Sequence, residues 1–301
     1  MLVFRHTLTC ALIFPALPAK ASIDIANYGA AENDRFSNSP VFLLNGHNLS
    51  GVGRDSAGRW VTMISDNVFL SATHYHPSTG TALTFHTSND PLAPVVSATV
   101  AGGQQIGGTD LWIGYLDAPL VGISSYETLN APLNSMFFNV SPYYQEDAYM
   151  IGRSPGTGGY ASSPLTDLAV GTNQLEGFQE NSTVDGDSSV GDVFLLIENE
   201  AGDAPFNVTS YEADLNSGDS GSPLFILEGG ELVVAGIAWA SGKVELGNDV
   251  TSVERDLSVY TYTGSYGDQI EAYINAHAIP EPSGLFLFAA FATWAVRRER
   301  V

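Results

Sequence analysis

Cysteine is almost missing from this chain of 301 residues. The one cysteine, Cys10, lies in an N-terminal stretch that reads as a signal, so the expected mature protein has neither a disulfide framework nor thiol chemistry. Basic residues are scarce as well: 11 Lys and Arg stand against 33 Asp and Glu, a net charge of −22. Between residues 22 and 278 only Arg35, Arg54, Arg59, Arg153, Lys243 and Arg255 face 31 acidic residues, which leaves −25. Such a surface repels phosphate backbones and anionic lipid heads, so nucleic acid is excluded as an expected partner. Solubility in an extracellular or salty setting is the plainer use of so much negative charge. No period of 20 to 50 residues repeats and no low-complexity linker divides residues 22–278, so that stretch reads as one functional unit.

What is present favours strands. Hydrophobic residues make up 44% of the chain, enough for a proper core, and 31 glycines recur with Ser, Thr, Asn and Asp between short apolar runs. The runs that read as strands are 60–64, 68–72, 83–87, 94–101, 111–116, 148–151, 193–198, 223–227, 232–239 and 257–262. Turn residues such as Ser65-Asp66-Asn67 and Glu228-Gly229-Gly230 separate them. Only residues 266–278 look helical, with Ile270, Tyr273, Ile274 and His277 at three- and four-residue spacing. The class is all-β, antiparallel, with one C-terminal helix.

Both ends carry targeting patterns. Arg5 and His6, the mostly apolar stretch Leu8 to Leu17 and Ala19-Lys20-Ala21 make residues 1–21 a secretory signal, with cleavage expected before Ser22. At the other end stand Ile279-Pro280-Glu281-Pro282-Ser283, the apolar run Gly284 to Val296, and Arg297-Arg298-Glu299-Arg300. Those three parts in that order resemble the PEP-CTERM sorting signal of exported Gram-negative bacterial proteins. The resemblance implies an exosortase-type processing partner, transient association with the inner membrane through residues 279–301, and a final place at the cell surface or in the extracellular matrix. The apolar run is shorter than the roughly 20 residues that span a bilayer as a helix, and its basic cluster would stay cytoplasmic.

Three segments carry chemistry. Phe69-Leu70-Ser71-Ala72-Thr73-His74 ends an apolar strand in a histidine, the side chain whose ordinary pKa suits a general base near neutral pH. His76, two residues on, competes for that role; His47, His86 and His277 have no such context. Thr109-Asp110-Leu111-Trp112-Ile113 opens an apolar run with a carboxylate, and a buried carboxylate needs partners such as a histidine N–H. Asp117, in an Asp-Ala-Pro turn, is the weaker candidate. Asn216-Ser217-Gly218-Asp219-Ser220-Gly221-Ser222-Pro223 places a serine between glycines, where a sharp turn exposes the hydroxyl and gathers backbone N–H groups at one point. Histidine, aspartate and serine in this order within a β chain point to a nucleophilic triad.

These segments resemble the trypsin-like serine peptidases over roughly residues 35–278. Ser71-Ala72-Thr73-His74-Tyr75 is similar to the family's Thr-Ala-Ala-His-Cys, Asp110-Leu111-Trp112-Ile113 to its Asp-Ile-Ala-Leu, and Gly218-Asp219-Ser220-Gly221-Ser222-Pro223 to its Gly-Asp-Ser-Gly-Gly-Pro. The resemblance implies two antiparallel β-barrels of the chymotrypsin type and a secreted endopeptidase acting on protein or peptide substrates. It gives His74, Asp110 and Ser220 as triad, the N–H groups of Gly218 and Ser220 as oxyanion donors, no cofactor and no metal. It puts Asp214 at the base of the specificity pocket, which implies cleavage after Arg or Lys, and lines substrate with Ala238, Trp239 and Ala240. The family usually has Ser-Trp-Gly at those last three positions, and the extra methyl of Ala240 narrows the pocket.

Tyr75 stands where the family has a cysteine, and no Ile-Val-Gly-Gly segment follows the signal, so Asp219 needs a partner other than a freed terminus of that sequence. The acidic loop Asp185-Gly186-Asp187-Ser188-Ser189-Val190-Gly191-Asp192 lacks the EF-hand spacing for calcium and reads as a solvated loop. A different class of function, a catalytically silent protease fold serving as a binding protein of the extracellular polymer matrix, is suggested by the sorting tail.

Overall fold

The computed structural model describes residues 22–156, 167–199, 208–246 and 253–278. The expected signal and sorting tail lie outside them. Among the described residues no helix is long and apolar enough to cross a membrane.

Six strands close a barrel: β2 (Val52–Arg54), β3 (Trp60–Met63), β4 (Val68–Ala72), β5 (Ala82–His86), β6 (Val95–Gln105) and β7 (Leu111–Leu116), in the order β2-β3-β4-β7-β6-β5. The ring shuts where Arg54 pairs with Thr84. Every residue of β3 and β4 is buried, so their apolar runs are continuous rather than alternating. Period-two geometry explains this. Val61, Met63 and Phe69 point into the barrel with Leu83, Phe85 and Val100. Their neighbours Trp60, Val68, Leu70 and Ala72 face outward into a second cluster with Ile151, Phe225, Val234 and Ile237 of the other half.

That half is an eight-stranded sheet built from β9 (Asp147–Gly152), β10 (Ala169–Gln174), β11 (Gly177–Thr183), β12 (Val190–Ile197), β14 (Pro223–Glu228), β15 (Glu231–Leu246) and β16 (Val253–Tyr262). A short β8 (Glu127–Thr128) runs parallel to β15. The order is β10-β9-β14-β15-β16-β12-β11. Its two edges, β10 and β11, are joined only by Leu175 and Glu176, which reach at most about 3.5 Å per residue. The sheet therefore curls until its edges nearly meet: a half-barrel, filled by Met150, Phe178, Phe194, Leu224, Tyr260 and Tyr262. Among the described residues only the first of the two expected barrels closes by strand pairing.

The first described residues join this half, where β1 (Asp24–Ile25) pairs with β13 (Ala213–Asp214), followed by a one-turn helix α1 (Ala30–Asn33). The C-terminal helix α2 (Gly267–His277) leaves β16 and crosses back to the closed barrel. Ile270 and Tyr273 bury its inner face, Asn67 donates to the carbonyl of His277 at 2.9 Å, and the Tyr115 and His277 rings lie 4.3 Å apart. The helix thus fastens the two halves, and the cleft between them is where the three chemical segments meet.

Candidate active site

The β4–β7 ladder pairs Ala72 with Leu111. His74 lies two residues beyond that pair and Asp110 one residue before it, so strand register alone brings them to the same end of the barrel. The chain after β4 tightens into a 3-10 turn, Thr73–Tyr75, whose first N–H donates to the Asp110 carbonyl at 2.7 Å. Asp110 is 1% exposed, and both its oxygens are used. Oδ1 accepts the backbone N–H of His74 at 2.9 Å, and Oδ2 meets the ring Nδ1 at 2.8 Å. An ionised carboxylate can only accept, so Nδ1 carries the proton and Nε2 is left with its lone pair free.

Electrostatics sharpen that arrangement. Burial would lower the His74 pKa, but the hydrogen bond and charge of Asp110, with the charge of Asp187 added, raise it overall. Burial also lifts the Asp110 carboxyl above its ordinary range, and the bonds from His74 hold it down only in part. His74 itself remains reachable, its side chain 31% exposed.

The other candidates separate cleanly. His76 gives Nδ1 to the Thr73 carbonyl at 2.7 Å and stacks on Trp112 at 3.7 Å, a packing role. Asp117 is at the far end of β7, where it accepts the Thr99 N–H. His86 is buried against Phe36, and His277 is bound within α2.

Ser220 comes from the other half. Its turn is fixed on one side by β15: Gly221 N–H donates to Ala238 O and Ala238 N–H to Ser222 O, each at 2.9 Å. On the other side the indole N–H of Trp60 donates to Gly218 O at 3.1 Å. Gly221 has φ +86, and a methyl there would stand 3.1 Å from Ser71 Oγ and 3.2 Å from Ala72 N. The turn is thus pressed against the strand that ends in His74. Ser220 is half-buried, and among the described residues its hydroxyl makes no hydrogen bond, to His74 or to any other group.

The N–H groups of this turn alternate in a telling way. Those of Asp219, Gly221 and Ser222 are bonded internally, whereas those of Gly218 and Ser220 have no acceptor among the described residues. Two free donors at one turn are what a developing oxyanion needs.

Asp219, fully buried, answers the question of its partner. It accepts the backbone N–H of Arg153 at 2.9 Å and of Asn216 at 3.1 Å. Burial still pushes its pKa up to about 7, against the pull of those bonds and of Arg153 and Arg54. Ile23, also fully buried, packs with it around Gly152, and its N–H donates to Arg153 O at 3.0 Å.

Asp214 stands apart from the hydrogen bonds between His74 and Asp110. It sits on β13, accepts a long 3.4 Å bond from Ser258 Oγ, and has its pKa pushed up to about 7, first by burial and then by Glu198, Asp256, Glu212 and Asp24. Ala238, Trp239 and Ala240 lie buried on β15 at a bulge in its pairing with β16.

One residue near His74 and Asp110 belongs to none of the three chemical segments. Asp187, in the β11–β12 loop, brings a carboxylate oxygen to within 4.8 Å of a ring nitrogen of His74 and an oxygen of Asp110. The acidic loop was visible in the sequence, but nothing in its spacing tied it to His74; only the fold of the second half does. A metal ion held by these three groups would compete for the Asp110 oxygen that orients the imidazole. Compared with protein-family models and with curated proteins, the chain finds no match in either.

Proposed function

We propose that the protein is a secreted serine endopeptidase of the chymotrypsin type, using His74, Asp110 and Ser220. The observation that carries the reading is the two-point hold of the buried Asp110 on His74, at the cleft where the glycine-flanked turn of Ser220 is packed. A closed barrel, a half-barrel and a C-terminal helix spanning both support the family-level part.

In this mechanism His74 Nε2 takes the Ser220 hydroxyl proton as Oγ attacks the peptide carbonyl. The tetrahedral oxyanion is received by the Gly218 and Ser220 N–H groups. The C–N bond then breaks, the amine leaves with the proton from His74, and an acyl-enzyme remains. Water, giving its proton to His74, cleaves that ester and restores the serine. Asp110 keeps the imidazole in the tautomer the first step requires and stabilises the imidazolium between steps.

Asp214 as a selector of Arg or Lys is the weaker part of the proposal, because carboxylates surround it and its pKa is displaced toward the neutral form at about 7. Export through residues 1–21 and exosortase-type processing of residues 279–301 complete the reading; they rest on the sequence patterns alone. The free Ser220 hydroxyl favours one other reading, a silent protease fold that binds matrix polymer. Incubating the purified protein with a mixed peptide library separates the two. Turnover by the wild type and none by Ser220→Ala supports the peptidase; intact peptides with both proteins support the binding protein.

A further inference from the structure

Asp187 is held in place by the rest of the fold. Its Oδ1 accepts the Ser189 N–H at 2.9 Å and its Oδ2 accepts the indole N–H of Trp239 at 2.8 Å. Burial would raise its pKa, but these donors and the nearby His74 outweigh burial and keep the carboxyl below its ordinary range. It is therefore a fixed anion. Among the described residues it has no lysine or arginine partner: Arg54 and Arg153 pair with Asp167, Arg59 with Asp55, and Lys243 with Glu254 and Asp256.

A half-buried anion without a cation, beside the base that must receive a proton from the nucleophile, needs a use. It cannot be a spare member of the triad, because the Asp110 carboxylate already holds Nδ1 and the His74 backbone. Beyond Ala238, β15 pairs with β16 on one side and with no strand among the described residues on the other. A peptide added at that free edge, with its scissile carbonyl at Ser220, would pass Trp239, and consecutive residues are about 3.3 Å apart in an extended chain. A group within 4.8 Å of the His74 ring is then within reach of a side chain one or two residues from the scissile bond. We propose that Asp187, presented by Trp239 beside His74, is a subsite that selects a cationic side chain, Arg or Lys, one or two residues from the scissile bond. This rests on the peptidase reading of the same cleft. The strongly acidic surface adds to it by drawing cationic peptides toward the cleft.

The subsite differs from Asp214 in chemistry. Asp187 is ionised, anchored through both oxygens and open to solvent on one side, whereas Asp214 lies among other carboxylates. The dominant basic preference is therefore expected away from the bond-forming residue itself.

The test uses the full chain and a set of peptides of one sequence, varied to Arg, Leu or Glu at each of the three positions before and the two after the scissile bond. The wild type is expected to cleave the peptide with Arg one or two residues away at least about tenfold faster in kcat/KM than its Leu counterpart, a difference of ~1.4 kcal/mol. Asp187→Asn, nearly the same shape, is expected to reduce that ratio to about two or less when both peptides are read at one pH, so that any effect on His74 cancels. Wild-type selectivity is read without any variant, so a misfolded Asp187→Asn leaves the proposal open to refutation. Turnover that is indifferent to Arg, Leu and Glu at these positions overturns the proposal while the peptidase reading stands. So does a loss in Asp187→Asn that is equal for all three peptides, which would make Asp187 a positioning residue for His74 only. No turnover of any peptide removes the peptidase reading instead.

Discussion

A single exchange at Asp110 isolates what the carboxylate does. In Asp110→Asn the amide can still accept the His74 backbone N–H, but its NH2 would face the ring Nδ1 and force the proton onto Nε2. His74 is then in the wrong tautomer for the proposed mechanism, and kcat is expected to fall about ten-thousand-fold with little change in melting temperature. His76→Gln is the control: it removes the stack on Trp112, so it should lower stability yet leave kcat/KM within about threefold. The pH profile carries the same information. The proposed mechanism needs neutral His74, and Asp110 together with Asp187 stabilises its charged form beyond what burial takes away. The acidic limb of kcat/KM is therefore expected above the ordinary imidazole value of about 6.5, and Asp187→Asn should move it down.

At the scale of elements, the Ser220 turn depends on what Gly221 lacks. Alanine there would meet a left-handed φ of +86 and two strand atoms at 3.1 and 3.2 Å. Gly221→Ala is expected to cost about 2 kcal/mol or more in urea unfolding and to slow turnover, because relief means lifting the turn off β4. The three chemical segments and ten of the strands were legible in the sequence because each couples a dense apolar run to glycine or Asx punctuation. The two- and three-residue strands β1, β2, β8 and β13 were not, and neither were the longer β10 and β11. Their residues, Ala-Val-Gly-Thr-Asn-Gln and Gly-Phe-Gln-Glu-Asn-Ser-Thr, are small or polar, and β11 buries only Phe178 and Ser182. Strand β15 runs seven residues past its expected end at Trp239, since the polar extension is held by pairing with β16 and by Lys243 between Glu254 and Asp256. Asp187 illustrates the deeper limit. Proximity between residues 74 and 187 is a property of two halves packing together, which no local pattern encodes.

Taken whole, the molecule is set up to prefer mild acid. Burial raises Glu176 to about 8 and Asp214 and Asp219 to about 7, and it raises Asp34, Asp110 and Glu212 as well. A carboxyl whose folded pKa lies above its unfolded value binds its proton more tightly when folded. The stability it contributes is complete below about pH 4 and is lost as pH rises through its folded value. Asp187 and His76 shift the other way, but they are the minority. Self-repulsion of the −25 charge acts in the same direction as the raised carboxyls. The melting temperature is therefore expected to be higher at about pH 5.5 than at about pH 8, by roughly 5 °C, and added salt should narrow the gap. A melting temperature that rises steadily toward pH 8 would contradict this.

The fold, the charge and the cleft all serve one claim, that Ser220 is an activated nucleophile. Reacting the native full chain with a fluorophosphonate and mapping the adduct by mass spectrometry tests it most directly. The expected result is one adduct, on Ser220, absent from His74→Ala and from heat-denatured protein. A native protein that takes no label, or carries it on another serine while Ser220 stays unmodified, would contradict the account.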